Sequence, residues 1–128
     1  MTDRPSIVPY FSYADGHAAL KFLKDAFGFE VVQAYNDADG ALMHAELAFG
    51  NGVIMVGSGE AAKGFPGIYV VVADVVAHCA QAKATGAEIV YPPESTEWGT
   101  LRYRCRDPEG HEWSFGSYQP QTTVPDWG

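Results

Sequence analysis

The chain is poor in cysteine and in basic residues. Its two cysteines, Cys79 and Cys105, are too few for a disulfide scaffold and too far apart for a Cys-x-x-Cys zinc site. We interpret both as small buried hydrophobic residues. The 16 acidic residues outnumber the 8 lysines and arginines, which gives a net charge of −8. This balance argues against nucleic acid and against an anionic membrane surface as partners, because both require a basic footprint.

Long hydrophobic runs are also missing. No apolar stretch approaches the roughly 20 residues that cross a bilayer, and positions 1–9 lack the charged-then-apolar pattern of a secretory signal. We therefore expect a cytoplasmic protein. Hydrophobic residues nevertheless make up 47% of the 128 positions, which is enough for one compact domain over 1–128 with a real core.

Parts of the sequence recur after a shift of 59 positions, with a one-residue gap in the middle. Such internal repetition takes precedence over local patterns when a fold is predicted. The recurring positions include Tyr10 with Tyr69, Asp15 with Asp74, Gly28 with Gly86 and Gly57-Ser58 with Gly116-Ser117.

Each half predicts the same order of elements. An apolar strand precedes an aspartate that suits a helix N-cap, Asp15 or Asp74, and a glycine ends each predicted helix. In the first helix, "HAALKFLKDAF", Leu20, Leu23 and Phe27 share one face. A further strand and a hairpin complete each half, with turns "FGNG" and "DPEG". The prediction is a βαβββ module over 6–60, a second over 65–118 and an irregular tail over 119–128.

Two segments carry a resemblance to a known family. Paired βαβββ units with "HAELAFGNGVIMVGSG" and "DPEGHEWSFGSY" resemble the vicinal oxygen chelate superfamily, which includes glyoxalases, bleomycin-resistance proteins and extradiol dioxygenases. The resemblance covers residues 6–118 and implies the α+β glyoxalase/bleomycin-resistance fold, with curved mixed sheets around a cleft. In that family the cleft forms within one chain or between two exchanged chains, so a homodimer is expected.

The resemblance also places the metal ligands of metal-dependent members on four strands. Carried over by counting from the matching anchors, these positions hold Val8, Met55, Gly67 and Ser114. None of them offers the imidazole, carboxylate or thiolate that Zn²⁺, Ni²⁺ or Fe²⁺ prefers. We predict that the cleft holds no metal and needs no other cofactor.

His44 and Glu46 form the most suggestive pair for catalysis. They stand two apart on a strand and therefore share one face, and such a pair can bind a metal or transfer a proton. The alternative is that they lie on the outer face while Met43, Ala45 and Leu47 face the cleft.

The turn "DPEG" decides which side chains of the preceding strand face the cleft. A type I turn followed by a bulge at Gly110 pairs Arg104 with Ser114, and then Arg104 and Arg102 face the cleft with it. A two-residue turn instead points Tyr103 and Cys105 there. We favour the bulge because glycine adopts the left-handed conformation that it requires.

Aromatic residues make up 13% of the chain and supply the remaining candidates. Strand alternation from the ligand-equivalent positions points Tyr10 and Tyr69 into the cleft, and Trp98, in the loop "STEWGT", is a candidate lid.

These patterns predict a metal-independent protein that binds a small molecule, of the bleomycin-resistance type, and sequesters a drug or metabolite. The alternatives are a glyoxalase-like lyase or isomerase with relocated groups such as His44, Glu46 or Glu112, and a purely structural or regulatory dimer. No catalytic residue is assigned. The predicted ligand-binding residues are Tyr10, Met55, Tyr69, Trp98, Arg102, Arg104, Glu112 and Ser114.

Overall fold

A computed structural model describes residue 5 and residues 7–60 and 67–120. Its first half contains β1 (Tyr10–Tyr13), α1 (Gly16–Phe22) with a π-helical continuation (Leu23–Phe27), β2 (Glu30–Asn36), β3 (Leu42–Phe49) and β4 (Gly52–Ser58). Its second half contains β5 (Ile68–Val71), α2 (Val75–Thr85), β6 (Glu88–Ser95), β7 (Leu101–Arg106) and β8 (Glu112–Gly116). Position 6, positions 65–66 and, from 121 onward, the expected irregular tail lie outside the described residues.

The two halves form two separate four-stranded sheets with the same topology. The strand orders are β1-β4-β3-β2 and β5-β8-β7-β6. In each sheet the first two strands of this order run parallel, and the others pair antiparallel. The predicted α+β arrangement of two βαβββ modules is confirmed, and we call β1–β4 with α1 the first module and β5–β8 with α2 the second.

The helices begin where the aspartates predict. The Asp15 carboxylate accepts a hydrogen bond of 3.1 Å from the Ala18 N–H, and Asp74 accepts one of 3.0 Å from the Ala77 N–H. Gly28 and Gly86 end the helical segments in the left-handed conformation, also as predicted.

The first helix differs from the expected regular helix over 17–27. Its last five residues, Leu23–Phe27, form a π-helical turn. This wider turn changes the helical register, and the buried set then comprises Leu23, Ala26 and Phe27, with Leu20 one turn earlier. The predicted common face of Leu20, Leu23 and Phe27 is confirmed by their burial.

One hydrophobic core joins both modules. Phe11 of β1 stacks on Trp113 of β8 with ring centroids 4.9 Å apart, and Phe27 packs against Trp113 and Phe115. Cys79 and Cys105 are buried and free, as predicted, and burial raises the pKa of the Cys105 thiol to about 12. None of the helices in the described part of the chain is long and apolar enough to cross a membrane.

A buried carboxylate sits at the junction between the modules. Asp107 Oδ2 accepts hydrogen bonds from the Tyr13 hydroxyl (2.6 Å) and Trp113 Nε1 (3.0 Å). Its Oδ1 accepts from the backbone N–H groups of Glu109 (3.1 Å) and His111 (3.0 Å). Four donors therefore satisfy a carboxylate that is only 4% exposed, as a buried charge requires.

The neighbouring side chains extend this junction. The Glu109 carboxylate accepts hydrogen bonds from the backbone N–H groups of Ala14 (2.7 Å) and Asp15 (2.9 Å) at the start of α1. His111 Nε2 lies 2.9 Å from the Ser12 carbonyl oxygen. The β7–β8 turn of the second module is thereby fastened to the end of β1 in the first.

We predict that Asp107→Ala lowers the free energy of unfolding by about 3 kcal/mol or more, because it leaves several buried donors without an acceptor. Tyr13→Phe removes one hydrogen bond to the same carboxylate and should cost about half as much. Urea unfolding at neutral pH measures both. Equal stability of Asp107→Ala and the unmodified protein would contradict this role.

Candidate functional site

Each sheet has an inner face that packs on the helices and an outer face that points away from them. On the outer face of the second sheet, one side chain per strand forms what we call the second row: Tyr69, Ser114, Arg104 and Tyr91, paired in that order. The pairing of the first sheet places its equivalent, the first row, at Tyr10, Met55, Glu46 and Gln33.

The turn between β7 and β8 sets the orientation of the arginines. The Gly110 N–H donates to the Asp107 carbonyl oxygen (2.9 Å), the Asp107 N–H donates to the His111 carbonyl oxygen (3.0 Å), and Gly110 has a φ of 92°. These features fit the predicted turn with a glycine bulge. The predicted pairing of Arg104 with Ser114 is confirmed. The alternative is wrong, because Tyr103 and Cys105 point into the core and are 0% exposed.

A cavity of about 690 Å³ opens on the outer face of the second sheet. Its walls are built by the second module together with Tyr118, which follows β8. The volume is in the range of sites that take drug-sized molecules. The lining residues are Gly67, Ile68, Tyr69, Tyr91, Thr96, Trp98, Thr100, Leu101, Arg102, Arg104, Ser114 and Tyr118.

Two arginines of β7 reach this cavity. Arg104 Nε donates to Ser114 Oγ at 3.1 Å, and the guanidinium carbons of Arg102 and Arg104 lie 5.8 and 5.7 Å from the centre of the Tyr91 ring. This is the distance range of cation–π contacts. Arg102 Nη2 lies 3.4 Å from Glu94 Oε1 at the exposed edge.

Glu112 stands beside the cavity but not in its lining. Its Oε1 is 3.7 Å from Arg104 Nη1, which is an ion-pair distance but longer than a hydrogen bond. Its Oε2 accepts from Arg106 Nε at 3.1 Å. Glu112 therefore pairs mainly with Arg106 and leaves the η-nitrogens of Arg104 available to a ligand.

Tyr69 lines the cavity beside Ser114, its neighbour in the sheet. Its hydroxyl donates to the Tyr118 carbonyl oxygen at 2.6 Å, and burial raises the pKa of this tyrosine. The ring crosses Gly116, where the hydroxyl oxygen would lie 2.7 Å from an added Cβ. Tyr69 is therefore held in place by a hydrogen bond at its tip and by a glycine under its edge.

Trp98 stands at the mouth of the cavity, in the β6–β7 turn, with 72% of its surface exposed. The turn is closed by hydrogen bonds from Thr96 N to the Thr100 carbonyl oxygen (2.8 Å) and from Gly99 N to the Thr96 carbonyl oxygen (3.2 Å). The two threonine hydroxyl oxygens lie 2.7 Å apart. A hydrogen-bonded turn thus presents a large, exposed aromatic ring at the rim.

Two of the predicted ligand-binding residues lie elsewhere. Tyr10 and Met55 are neighbours in the first row, and neither lines the cavity of the second module. The two outer faces point away from the shared core, so a single chain does not bring Tyr10 and Tyr69 to the same ligand. The cavity does contain Tyr69, Trp98, Arg102, Arg104 and Ser114.

The structure also decides between the two alternatives for His44 and Glu46. Ala45 and Leu47 are 0% exposed and belong to the core. His44 and Glu46 therefore lie on the face of the first sheet that points away from the helices, beside Met55. The alternative is wrong in placing Ala45 and Leu47 on the cleft side, because both side chains face the core. His44 Nε2 lies 3.1 Å from Glu46 Oε2.

Sequence reasoning missed Tyr91, although this residue contacts both arginines. The register of β6 against β7 shifts on either side of Tyr91, and an irregular register defeats counting along the strand. Thr96, Thr100 and Tyr118 were also missed, because loop residues have no periodicity that would reveal their direction.

The four positions at which the family places metal ligands do not suit a metal. An added Cβ at Gly67, whose φ is 90°, would lie 2.9 Å from the Glu112 carbonyl oxygen, so a larger residue would be strained there. Ser114 Oγ already receives the Arg104 guanidinium, whose charge would repel a cation. Met55 and Val8 are not ligands of the usual divalent ions. Among the described residues no group of three or more His, Cys, Asp or Glu side chains is placed to hold a metal.

The two matching glycines give a test of the wall around Tyr69. An added Cβ at Gly116 meets the Leu101 backbone oxygen at 2.9 Å as well as the Tyr69 hydroxyl, whereas at Gly57 the three nearest atoms all belong to the Tyr10 side chain. We predict that Gly116→Ala lowers the free energy of unfolding by about 1–3 kcal/mol. Gly57→Ala should cost less, because an exposed tyrosine can move aside. Urea unfolding of both variants checks this order, and the reverse order would contradict it.

Comparison with known proteins finds a matching family model and similar solved structures. The family model described as "Glyoxalase/Bleomycin resistance protein/Dioxygenase superfamily" matches residues 11–115. TioX from Micromonospora sp. ML1 is 33% identical, with a TM-score of 0.73 over 93% of this chain and 100% of that one. No curated protein matches the chain.

Two further solved structures are similar in fold alone. A glyoxalase I mutant from Zea mays is 19% identical with a TM-score of 0.73, over 87% of this chain and 44% of that one. A superfamily member from Sphaerobacter thermophilus is 20% identical with a TM-score of 0.71, over 88% and 97% of the two chains.

Proposed function

The chain belongs to the glyoxalase/bleomycin resistance protein/dioxygenase superfamily, and from this premise we propose that it binds a small organic molecule without a metal and sequesters it. The observation that carries the proposal is the cavity of about 690 Å³ on the second sheet. Its lining combines four aromatic residues with a few fixed polar groups, as ligand sites generally do.

The wall chemistry supports binding rather than turnover. The lining contains no His, Cys, Asp or Glu among the described residues, so it offers neither a usual general base nor an activated thiol. Hydroxyl and guanidinium groups that donate hydrogen bonds can orient a ligand. They do not by themselves transfer a proton at neutral pH.

We expect the purified protein to contain no stoichiometric transition metal and to bind its ligand equally well after EDTA treatment. A small-molecule screen by thermal shift tests the binding function, because a ligand at about 100 times its Kd adds about 2.7 kcal/mol to the free energy of unfolding. Elemental analysis tests the metal. About one metal ion per chain, or the loss of ligand binding after chelation, would contradict the proposal.

We also propose that the protein is a homodimer. The first outer face supports this: Tyr10 and Tyr35 are each 54% exposed, beside the half-buried Met55. Exposed aromatic residues on one face are typical of interaction surfaces. We infer that a second copy of the chain covers this face.

Light scattering at micromolar concentration should report a mass of about two chains. Tyr35→Asp should shift the protein toward the monomer, because the substitution places a charge in a covered aromatic surface. Val76→Asp is the matched control: Val76 is 58% exposed on α2, away from both outer faces. A monomeric unmodified protein, or equal loss of the dimer in both variants, would count against this assembly.

A second candidate function is a glyoxalase-like lyase or isomerase. It is favoured by the 3.1 Å contact between His44 and Glu46 on the first outer face, since a paired imidazole and carboxylate can exchange a proton with a substrate. The test is turnover of the hemithioacetal of glutathione and methylglyoxal. If the protein turns it over and His44→Gln abolishes that activity, the function is catalysis instead of sequestration. Binding without turnover would favour sequestration.

A further inference from the structure

The two modules act as an internal comparison, because the fold repeats and the side chains do not. Pairing in the sheets makes Glu46 equivalent to Arg104, His44 to Arg102 and Gln33 to Tyr91. The β2–β3 turn closes like the β6–β7 turn, with hydrogen bonds from Asp37 N to Ala41 O (2.8 Å) and from Gly40 N to Asp37 O (3.1 Å). This makes Asp39 the equivalent of Trp98.

At each of these positions the second module carries a cation or an aromatic ring where the first carries an acid, an imidazole or an amide. The backbone does not require this difference, since both modules have the same strand order and the same pairing of their two central strands. The cationic and aromatic character of the cavity therefore belongs to its side chains and indicates what the cavity binds.

The wall of the cavity has positive charge in an acidic protein. Arg102 and Arg104 line it, and in the part of the chain that the structure describes no carboxylate does, although the chain has a net charge of −8. The carboxylate nearest Arg104, on Glu112, stays 3.7 Å from Nη1. Ser114 fixes the guanidinium through Nε, so its η-nitrogens form the edge that is free to bind a planar pair of oxygens.

The aromatic residues of the lining determine which ligand shapes the cavity accepts. The Tyr69 hydroxyl is hydrogen-bonded to the Tyr118 carbonyl oxygen, and its ring lies against Gly116. The guanidinium groups of Arg102 and Arg104 lie near the Tyr91 ring. Trp98 stands exposed at the mouth on a hydrogen-bonded turn. Rings presented in this way favour a flat, conjugated ligand over a branched aliphatic one.

We propose that this cavity takes a planar aromatic carboxylate, with the carboxylate on the η-nitrogens of Arg104 and the ring system against Trp98 and Tyr69. Arg102 lies beside it, with Nη2 3.4 Å from Glu94 Oε1. The inference rests on the proposed binding function and specifies the chemical class of its ligand. The volume of about 690 Å³ leaves room for a ligand of two or more rings.

Three matched probes test it: naphthalene-2-carboxylate, its neutral amide naphthalene-2-carboxamide, and the cation naphthalen-2-ylmethylammonium. Isothermal titration at pH 7 should rank the carboxylate first, by about 10-fold or more over the amide, as a charged hydrogen bond predicts. Added NaCl should weaken binding of the carboxylate more than that of the amide.

Variants separate charge from stacking. Arg104→Met should weaken binding of the carboxylate probe by about 10- to 100-fold and leave the affinity for the amide probe nearly unchanged. Arg104→Lys, which keeps the charge but loses the planar fork, should fall between. Trp98→Ala should weaken both probes by a similar factor of several-fold. Lys83→Met, a charge-matched control on α2, should change neither.

The proposal is overturned if the amide binds as tightly as the carboxylate, if the ammonium probe binds tightest, or if Arg104→Met weakens carboxylate and amide equally. Failure of all three probes also overturns it. In that case the broad thermal-shift screen distinguishes the two claims: another ligand from the screen preserves the binding function with a different specificity, and no ligand at all removes both.

Discussion

The buried carboxylate of Asp107 is the constraint on which the other features of the second module depend. Through Oδ1 it binds two backbone N–H groups of the β7–β8 turn, and through Oδ2 it binds Tyr13 and Trp113. The first pair of bonds fixes the register of the hairpin, and the second fixes the hairpin to β1 and the core. A slip of one residue in that register would send every side chain of β7 to the opposite face. Arg104 would then enter the core, and Tyr103 would enter the cavity.

The repeat shows how one fold can hold two different surfaces. Both modules use an aspartate cap, a glycine stop, the same strand order and a tyrosine lying across a glycine. These residues build the backbone, and their recurrence reflects identical geometric demands. Apart from the two tyrosines, the members of the first and second rows stand on that backbone without supporting it, so they can differ freely. Glu46 and Met55 face outward in one module, and Arg104 and Ser114 do so in the other. The specificity of the site is therefore separable from the stability of the fold.

The parts of the structure that the sequence predicts are those with local causes. Asp15 and Asp74 cap helices through their own side chains, and Gly110 permits a bulge that orients Arg104, so short-range rules suffice. The face of His44 and Glu46 could not be derived from the "FGNG" turn alone and was decided by the burial of Ala45 and Leu47 in a core built from distant segments. Tyr91 escaped prediction because irregular pairing of β6 breaks the count. The cavity is built by the second module alone with Tyr118, and this leaves Tyr10 and Met55 of the first module outside it.

The acidic surface and the cationic cavity act over different distances. Exposed charges are screened beyond about 8–10 Å at physiological ionic strength, so the net charge of −8 influences how ligands approach more than what they contact once bound. Inside the cavity the nearest charges are those of Arg102 and Arg104, and the aromatic walls exclude part of the water that would weaken them. An anion therefore meets a weak, screened repulsion on approach and a strong local attraction at the wall. A cation meets the reverse, and the overall acidity does not by itself make the cavity a site for basic ligands.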